Sequence, residues 1–123
     1  MQHTAGLAQI VIPSTDLAIS AEFYSRCFGV EIAFKAPNVV ALSVSGIRLL
    51  LTQSEKGKEH ANADSMILYF HVKDIEKVYA TMLSAGESSL TVPHEIAKID
   101  GKSVWIAIFS DPSGHCIGLY EEK

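Results

Sequence analysis

The strongest constraint on this chain is that one order of elements is written into it twice. Leu7 to Ile12 is apolar apart from Gln9 and reads as a strand, ended by Pro13, which has no N–H to give a ladder. Ser14, Thr15 and Asp16 offer a choice of helix N-cap. Leu17, Ala21, Tyr24 and Phe28 then recur at helical spacing up to Gly29, which suits a C′ cap. Val30 to Phe34, Val39 to Val44 and Ile47 to Thr52 follow as three strands, with Ser45-Gly46 as a tight hairpin between the last two. The order then restarts. Met66 to Val72 is an apolar strand, Asp74 is a ready N-cap, Ile75, Val78, Tyr79 and Met82 line one helical face, and Gly86 closes the helix. Ser89 to Val92, Val104 to Phe109 and Cys116 to Tyr120 complete the second copy. Asp111-Pro112-Ser113-Gly114, all turn-forming residues, joins its last two strands.

A doubled β-α-β-β-β order predicts an α+β protein. Neither four-stranded copy can bury a sheet face alone, so the copies pack together or against a partner. With 123 residues the expectation is a single domain, residues 1–123. Its first βαβββ module is 1–54, a polar, glycine-containing linker is 55–64, and the second module is 65–123. A net charge of −4, with no basic cluster interleaved with aromatics, argues against nucleic acid or an anionic membrane as partner. No apolar run approaches the ~20 residues of a membrane span. Met1-Gln2-His3-Thr4 lacks the charged lead and apolar core of a signal peptide. Cys27 and Cys116 sit in apolar segments and read as reduced, packed thiols, so a cytoplasmic location is expected.

Three features carry a family resemblance: the paired βαβββ modules, a first helix that runs from Asp16-Leu17 through Glu22-Phe23-Tyr24, and Asp-Pro-Ser-Gly before the last strand. Together they resemble the vicinal oxygen chelate superfamily. That group includes glyoxalase I, extradiol dioxygenases, fosfomycin-resistance enzymes and bleomycin-binding resistance proteins. The likeness spans essentially the whole chain and does not pick out a member. It implies two modules whose strands curl into an open, barrel-like mixed-sheet cup, in a homodimer, with a small organic ligand inside.

Enzymes of that superfamily hold one divalent metal through His, Glu or Gln on the first and last strands of each module. Carried over position by position, the first ligand falls seven residues before Asp16, at Gln9, and the second within Arg48-Leu49-Leu50-Leu51-Thr52, at Leu50. The third falls seven residues before Asp74, at Ile67. The fourth lies four residues after the Asp-Pro-Ser-Gly turn, where the metal enzymes place Glu; here it is Gly118. Leucine, isoleucine and glycine side chains offer no lone pair, and one Gln carbonyl does not hold a divalent ion against water. A register slip of one residue reverses the faces of a strand. The neighbours Ala8, Ile10, Leu49, Leu51, Met66, Leu68, Ile117 and Leu119 provide no ligand either. The expectation is a metal-free and cofactor-free cup, with Gly118 opening space where a carboxylate would reach inward.

The strand period of two then predicts the lining. Gln9 and Val11, Arg48 and Leu50 with Thr52, Ile67 with Tyr69 and His71, and Cys116 and Tyr120 around Gly118 share the inward faces. Apolar walls with two phenols, an imidazole, a guanidinium and an amide are the makeup of a small-molecule site. Each of these residues also has a structural reading. His71 stands near a strand end, Arg48 follows a hairpin and can point to water, and Tyr69 and Tyr120 belong to a type favoured in strands anyway. Trp105 reads as core against a helix. Gln9 is the most informative, because a polar residue inside an apolar strand wants a partner.

The leading expectation is therefore a metal-independent binding protein of the bleomycin-resistance type, holding an apolar or aromatic ligand. One alternative is a lyase, isomerase or dioxygenase of the same superfamily, with a metal bound elsewhere or with acid–base work by His71. The other is a structural or regulatory partner protein that keeps the fold without a ligand.

Overall fold

In the computed structural model, which describes residues 4–54 and 66–123, the chain divides into two compact units, residues 1–58 and 59–123. The linker expected at 55–64 lies outside the described residues. The first unit runs β1 (Gln9–Ser14), α1 (Leu17–Phe28), β2 (Glu31–Ala36), β3 (Val39–Val44) and β4 (Ile47–Gln53). Its strands form one mixed sheet in the order β1-β4-β3-β2, with β1 and β4 parallel and the other pairs antiparallel. The second unit runs β5 (Leu68–His71), α2 (Ile75–Ser84), β6 (Ser88–Ile99), β7 (Lys102–Ser110) and β8 (Cys116–Glu122), in the sheet order β5-β8-β7-β6. The doubled βαβββ pattern is present, and the protein is α+β.

Local chemistry sets the ends of these elements. Asp16 is the N-cap of α1, its Oδ1 accepting the Ile19 amide at 3.1 Å. Gly29 ends the helix at φ 64°, in the left-handed region, with its N–H on the Ser25 carbonyl. α2 closes with a Schellman pair: the Gly86 amide donates to Leu83 O and the Glu87 amide to Met82 O, each at 3.1 Å. Its start is less usual, because the N-cap Asp74 is itself left-handed at φ 59°. The Ser45-Gly46 hairpin has φ 50° and 81° at its two central residues, the signs of a type I′ turn.

In each unit the buried row of the sheet meets the helix. Ile12, Val40, Leu42, Leu49 and Leu51 are buried in the first unit, together with Phe23 and Tyr24 of α1, whose rings meet edge-on at 5.0 Å. In the second, Ala107, Phe109, Ile117 and Leu119 are buried together with Ile75 and Met82 of α2. The Tyr79 ring lies 5.1 Å from that of Phe109, which fixes the helix to that face. The alternate positions of both sheets form the opposite, open face.

Several boundaries depart from expectation: β1 runs through Pro13, which was expected to end it and instead pairs with Thr52, and β5 is confined to Leu68–His71. β2 is displaced to Glu31–Ala36 by a register shift between Ile32 and Phe34. β6 extends from the expected Ser89–Val92 to Ser88–Ile99, with three register shifts against β7 and Pro93 within it. β6 pairs on one side only in its sheet, where a proline costs no ladder bond on the free side. Bulges hide the period of two from sequence inspection. The turn that ends β6 is Asp100-Gly101, with φ 52° and 79°. Among the described residues no helix is long and apolar enough to cross a membrane.

Candidate functional site

Parallel pairing of the first and last strand of each unit brings the expected site residues together. In the first unit Gln9 pairs with Arg48 and Val11 with Leu50 across β1 and β4. In the second, Tyr69 pairs with Gly118 and His71 with Tyr120 across β5 and β8. The two units are in equivalent register. Leu50 and Gly118 occupy matching places, as do Val11 and Tyr69. Ile67 lies one residue before β5 begins and is half-buried.

On the open face of the first sheet, strand pairing extends the Gln9–Arg48 row to Ser43 and Glu31, and the Val11–Leu50 row to Ala41 and Phe34. Arg48 Nη1 donates to Gln9 Oε1 at a long 3.4 Å. The guanidinium carbon stands 5.4 Å from the centre of the Phe34 ring, a cation–π distance. Gln9 and Arg48, but not Phe34, also line a depression of about 330 Å³, with Ala8, Ala33, Ser43 and Ile47 among its other lining residues. That volume is at the small end of ligand sites.

The open face of the second sheet is aromatic. The Tyr69 and Tyr120 rings are 6.4 Å apart at 67°, and the His71 and Tyr120 rings 5.6 Å apart at 79°. The Tyr120 hydroxyl donates to Glu122 Oε2 at 2.9 Å. That bond stabilises the neutral phenol and raises its pKa above the ordinary value, with smaller contributions from burial and from the Glu122 charge. Tyr120 is therefore a donor at neutral pH and a poor candidate for a general base.

Gly118 does not open space. A Cβ placed there would overlap Cδ1 and Cε1 of Tyr69 and lie 3.0 Å from its Cγ. The Tyr69 ring occupies the volume that the glycine leaves, which corrects the expectation of a vacant hollow at that position. Tyr69 is also 42% exposed, so the ring that covers Gly118 presents its other side outward.

The donor set does not fit a divalent metal at the four family positions. Gln9 is engaged by Arg48, Leu50 and Ile67 have no donor atom, and Gly118 lies under Tyr69. Among the described residues no group of three or more His, Cys, Asp and Glu side chains is arranged to hold a metal ion. Two further rings make contacts of their own, and Trp105, expected in the core, is only half-buried. His94 bonds the Val92 carbonyl through Nδ1 at 2.7 Å, and Trp105 lies under Lys123 Nζ at 5.0 Å, paired with Glu121.

Side chains absent from the sequence-based lining also stand on these faces, among them Glu31, Phe34, Ala41, Ser43 and Glu122. Ser43 was legible, because a two-residue Ser45-Gly46 hairpin pairs Val44 with Ile47 and therefore Ser43 with Arg48. Phe34 was not, since its face depends on the shift in β2.

Residues 6–119 match the family model described as Glyoxalase/Bleomycin resistance protein/Dioxygenase superfamily. No curated protein matches the chain. Among solved structures, a glyoxalase/bleomycin resistance protein/dioxygenase from Alicyclobacillus acidocaldarius is similar with TM-score 0.73 and 16% identity, over 99% of this chain and 95% of that one. A family enzyme from Burkholderia phytofirmans PsJN gives TM-score 0.77 and 17% identity, over 95% and 98%. A lactoylglutathione lyase from Agrobacterium tumefaciens gives 0.71 and 16%, over 98% and 96%. At such identities the likeness carries the fold alone.

Proposed function

This chain belongs to the Glyoxalase/Bleomycin resistance protein/Dioxygenase superfamily, and on that premise we propose that it is a metal-independent binding protein for a small, largely apolar organic molecule. The binding surface is the open sheet face of each unit taken by itself: Val11 and Leu50 with Gln9 and Arg48 as polar anchors in the first, and Ile67, Tyr69 and Tyr120 with His71 in the second. The observation that carries this reading is the Tyr69 ring over Gly118. The position where the metal enzymes present a carboxylate has neither a donor nor the volume for one. An aromatic surface stands there instead, which suits stacking and not coordination. A lyase or dioxygenase of the metal-dependent type lacks its ligands in this sequence.

The same reading makes the protein a cytoplasmic homodimer. Cys27 and Cys116 form no disulfide, and Ile32 and Phe34 on the outermost strand of the first sheet are more than 40% exposed, at 41% and 43%. Such an apolar edge favours pairing with a second copy.

A thermal-shift screen of aromatic drugs and metabolites with EDTA present tests the reading. A ligand at a hundred times its dissociation constant stabilises the fold by about 2.7 kcal/mol. For a chain of this size that is a rise in Tm on the order of 10 °C. Hits that survive EDTA, together with protein free of stoichiometric metal by elemental analysis, are the expected result. About one Ni, Zn, Fe or Mn per chain, with a Tm that collapses on chelation, overturns it.

A further inference from the structure

We infer that the ligand carries a single carboxylate, received by Arg48 in the depression that it lines with Ala8, Ala33, Ser43 and Ile47. This rests on the small-molecule reading above and names the chemical class that the first unit selects: an aromatic or branched-alkyl monocarboxylate.

Arg48 has five N–H donors in a planar fork. One of them is engaged, by Gln9 at 3.4 Å, and among the described residues no carboxylate forms an ion pair with Arg48. The other arginine of the described unit, Arg26, pairs instead with Glu22 at 3.3 Å. Arg48 is also held in place. Phe34 supports the guanidinium at 5.4 Å, and Gln9, on the adjacent parallel strand, fixes one end of its fork. A planar fork with its orientation already set loses little rotamer freedom on binding, and two parallel N–H···O bonds to a carboxylate match it.

The surroundings decide the rest of the ligand. The depression of about 330 Å³ is lined by Arg48 together with Ala8, Ala33 and Ile47, which suit a ring or branched chain. Ser43, opposite Arg48 in register, adds a hydroxyl. Glu31, opposite Ser43 in the same row, sets a negative charge across the sheet from Arg48. A second negative charge on the ligand is repelled there, so a monoanion is preferred to a phosphate or a dicarboxylate. The apolar side chains of Ala8, Ala33 and Ile47 and the cationic fork of Arg48 then read two ends of one molecule.

The test pairs each monocarboxylate with its own neutral amide: benzoate with benzamide, phenylacetate with phenylacetamide, isovalerate with isovaleramide. Phthalate and inorganic phosphate serve as the dianions. Binding is measured by ligand-observed NMR at low salt with EDTA, on the wild-type chain and on the Arg48→Lys, Arg48→Gln and Phe34→Leu variants, each checked for folding by circular dichroism. The expected result is a Kd at least tenfold lower for acids than for their amides in the wild type, with the dianions weaker than the monoanions. Arg48→Lys should raise the acid Kd about fivefold or more, because a point charge replaces the fork. Arg48→Gln should erase the difference between acid and amide, and Phe34→Leu, which removes the ring beneath the guanidinium, should weaken the acid more than the amide. Equal binding of acid and amide, or acid binding undiminished in Arg48→Gln, overturns the carboxylate assignment and leaves the small-molecule reading standing. Binding confined to dianions overturns the role given to Glu31 and the monoanion class. No binding by any of these compounds, while the neutral aromatic screen yields hits, again overturns the carboxylate alone; no hit in either screen overturns both readings.

Discussion

Glu121 and Ile75, 46 residues apart in sequence, are joined by a hydrogen bond in which the Ile75 amide donates to Glu121 Oε1 at 2.9 Å. The Asp74 amide donates to Oε2 of the same carboxylate at 2.8 Å. The last strand thus supplies the anion for the first turn of α2, where unpaired N–H groups and the helix dipole both favour negative charge. It also steadies Asp74 in its left-handed conformation.

Glu121→Ala should destabilise the fold by about 1–2 kcal/mol, the range for losing a helix cap. That corresponds to a fall in Tm of about 4–8 °C by differential scanning calorimetry. An unchanged Tm would show that α2 is held by its apolar face alone.

The same contact has a pH signature. The Ile75 amide bond, with further help from the Asp74 amide and from Lys123, holds the Glu121 carboxyl below the ordinary glutamate range, against a smaller opposing effect of burial. A depressed folded-state pKa gives stability that is present above the unfolded value of about 4.3 and is lost as pH falls through the folded one. Tm should therefore decline more steeply below about pH 4 in the wild type than in Glu121→Gln. Parallel acid limbs would contradict the assignment.

Gly118 and Tyr69 predict a change of sign. Gly118→Ala sets a methyl group against the Tyr69 ring, and overpacking of this kind costs about 1–3 kcal/mol. In the Tyr69→Ala background the overlap is gone, and Ala should stabilise the strand by about 0.5–1 kcal/mol relative to glycine. Urea denaturation of the four proteins in the cycle checks this, and additive effects would mean that the two positions do not touch.

The turn before β8 hangs on one buried side chain. Asp111, 4% exposed, accepts the amides of Ser113 and His115 on Oδ1, both at 2.9 Å. Asp111→Ala leaves those donors without this acceptor and should cost about 1–3 kcal/mol. Asp111→Asn keeps a carbonyl in place and should cost less, an ordering that thermal denaturation resolves.

Tyr120 offers a spectroscopic check. With Glu122→Gln the acceptor loses its charge, so the phenol pKa should move down toward its ordinary value of about 10. NMR titration of labelled tyrosine reads this directly. A phenol that does not move would deny the 2.9 Å bond its role.

Much of this was legible in the residues themselves. Asp16, Gly29, Gly86 and Ser45-Gly46 act through local backbone preferences, which need no knowledge of the fold, and each stands where it was expected. That Gln9 and Arg48 each face inward was expected from the period of two, but their pairing across β1 and β4 was not read from the sequence. What escaped was decided by contacts between strands. The ring of Tyr69 could not be set over Gly118 without the β5–β8 register, and Glu121 gave no sign that it would reach a helix 46 positions earlier. Phe34 and the far half of β6 depended on bulges, where an extra residue reverses the facing of everything beyond it.

The fit of ring to glycine also limits how this sequence can change by single steps. A carboxylate introduced at position 118 meets the Tyr69 ring before it meets any ion. Mutation toward a metal-binding centre therefore has an order: position 69 has to shrink first, and only afterwards can 118 grow. The intermediate sequence would carry neither the aromatic surface nor the ligand, so it would be poor at both trades. The two residues act as a one-way latch on the chemistry open to the second unit, and an engineer who wants a metal there should change them together.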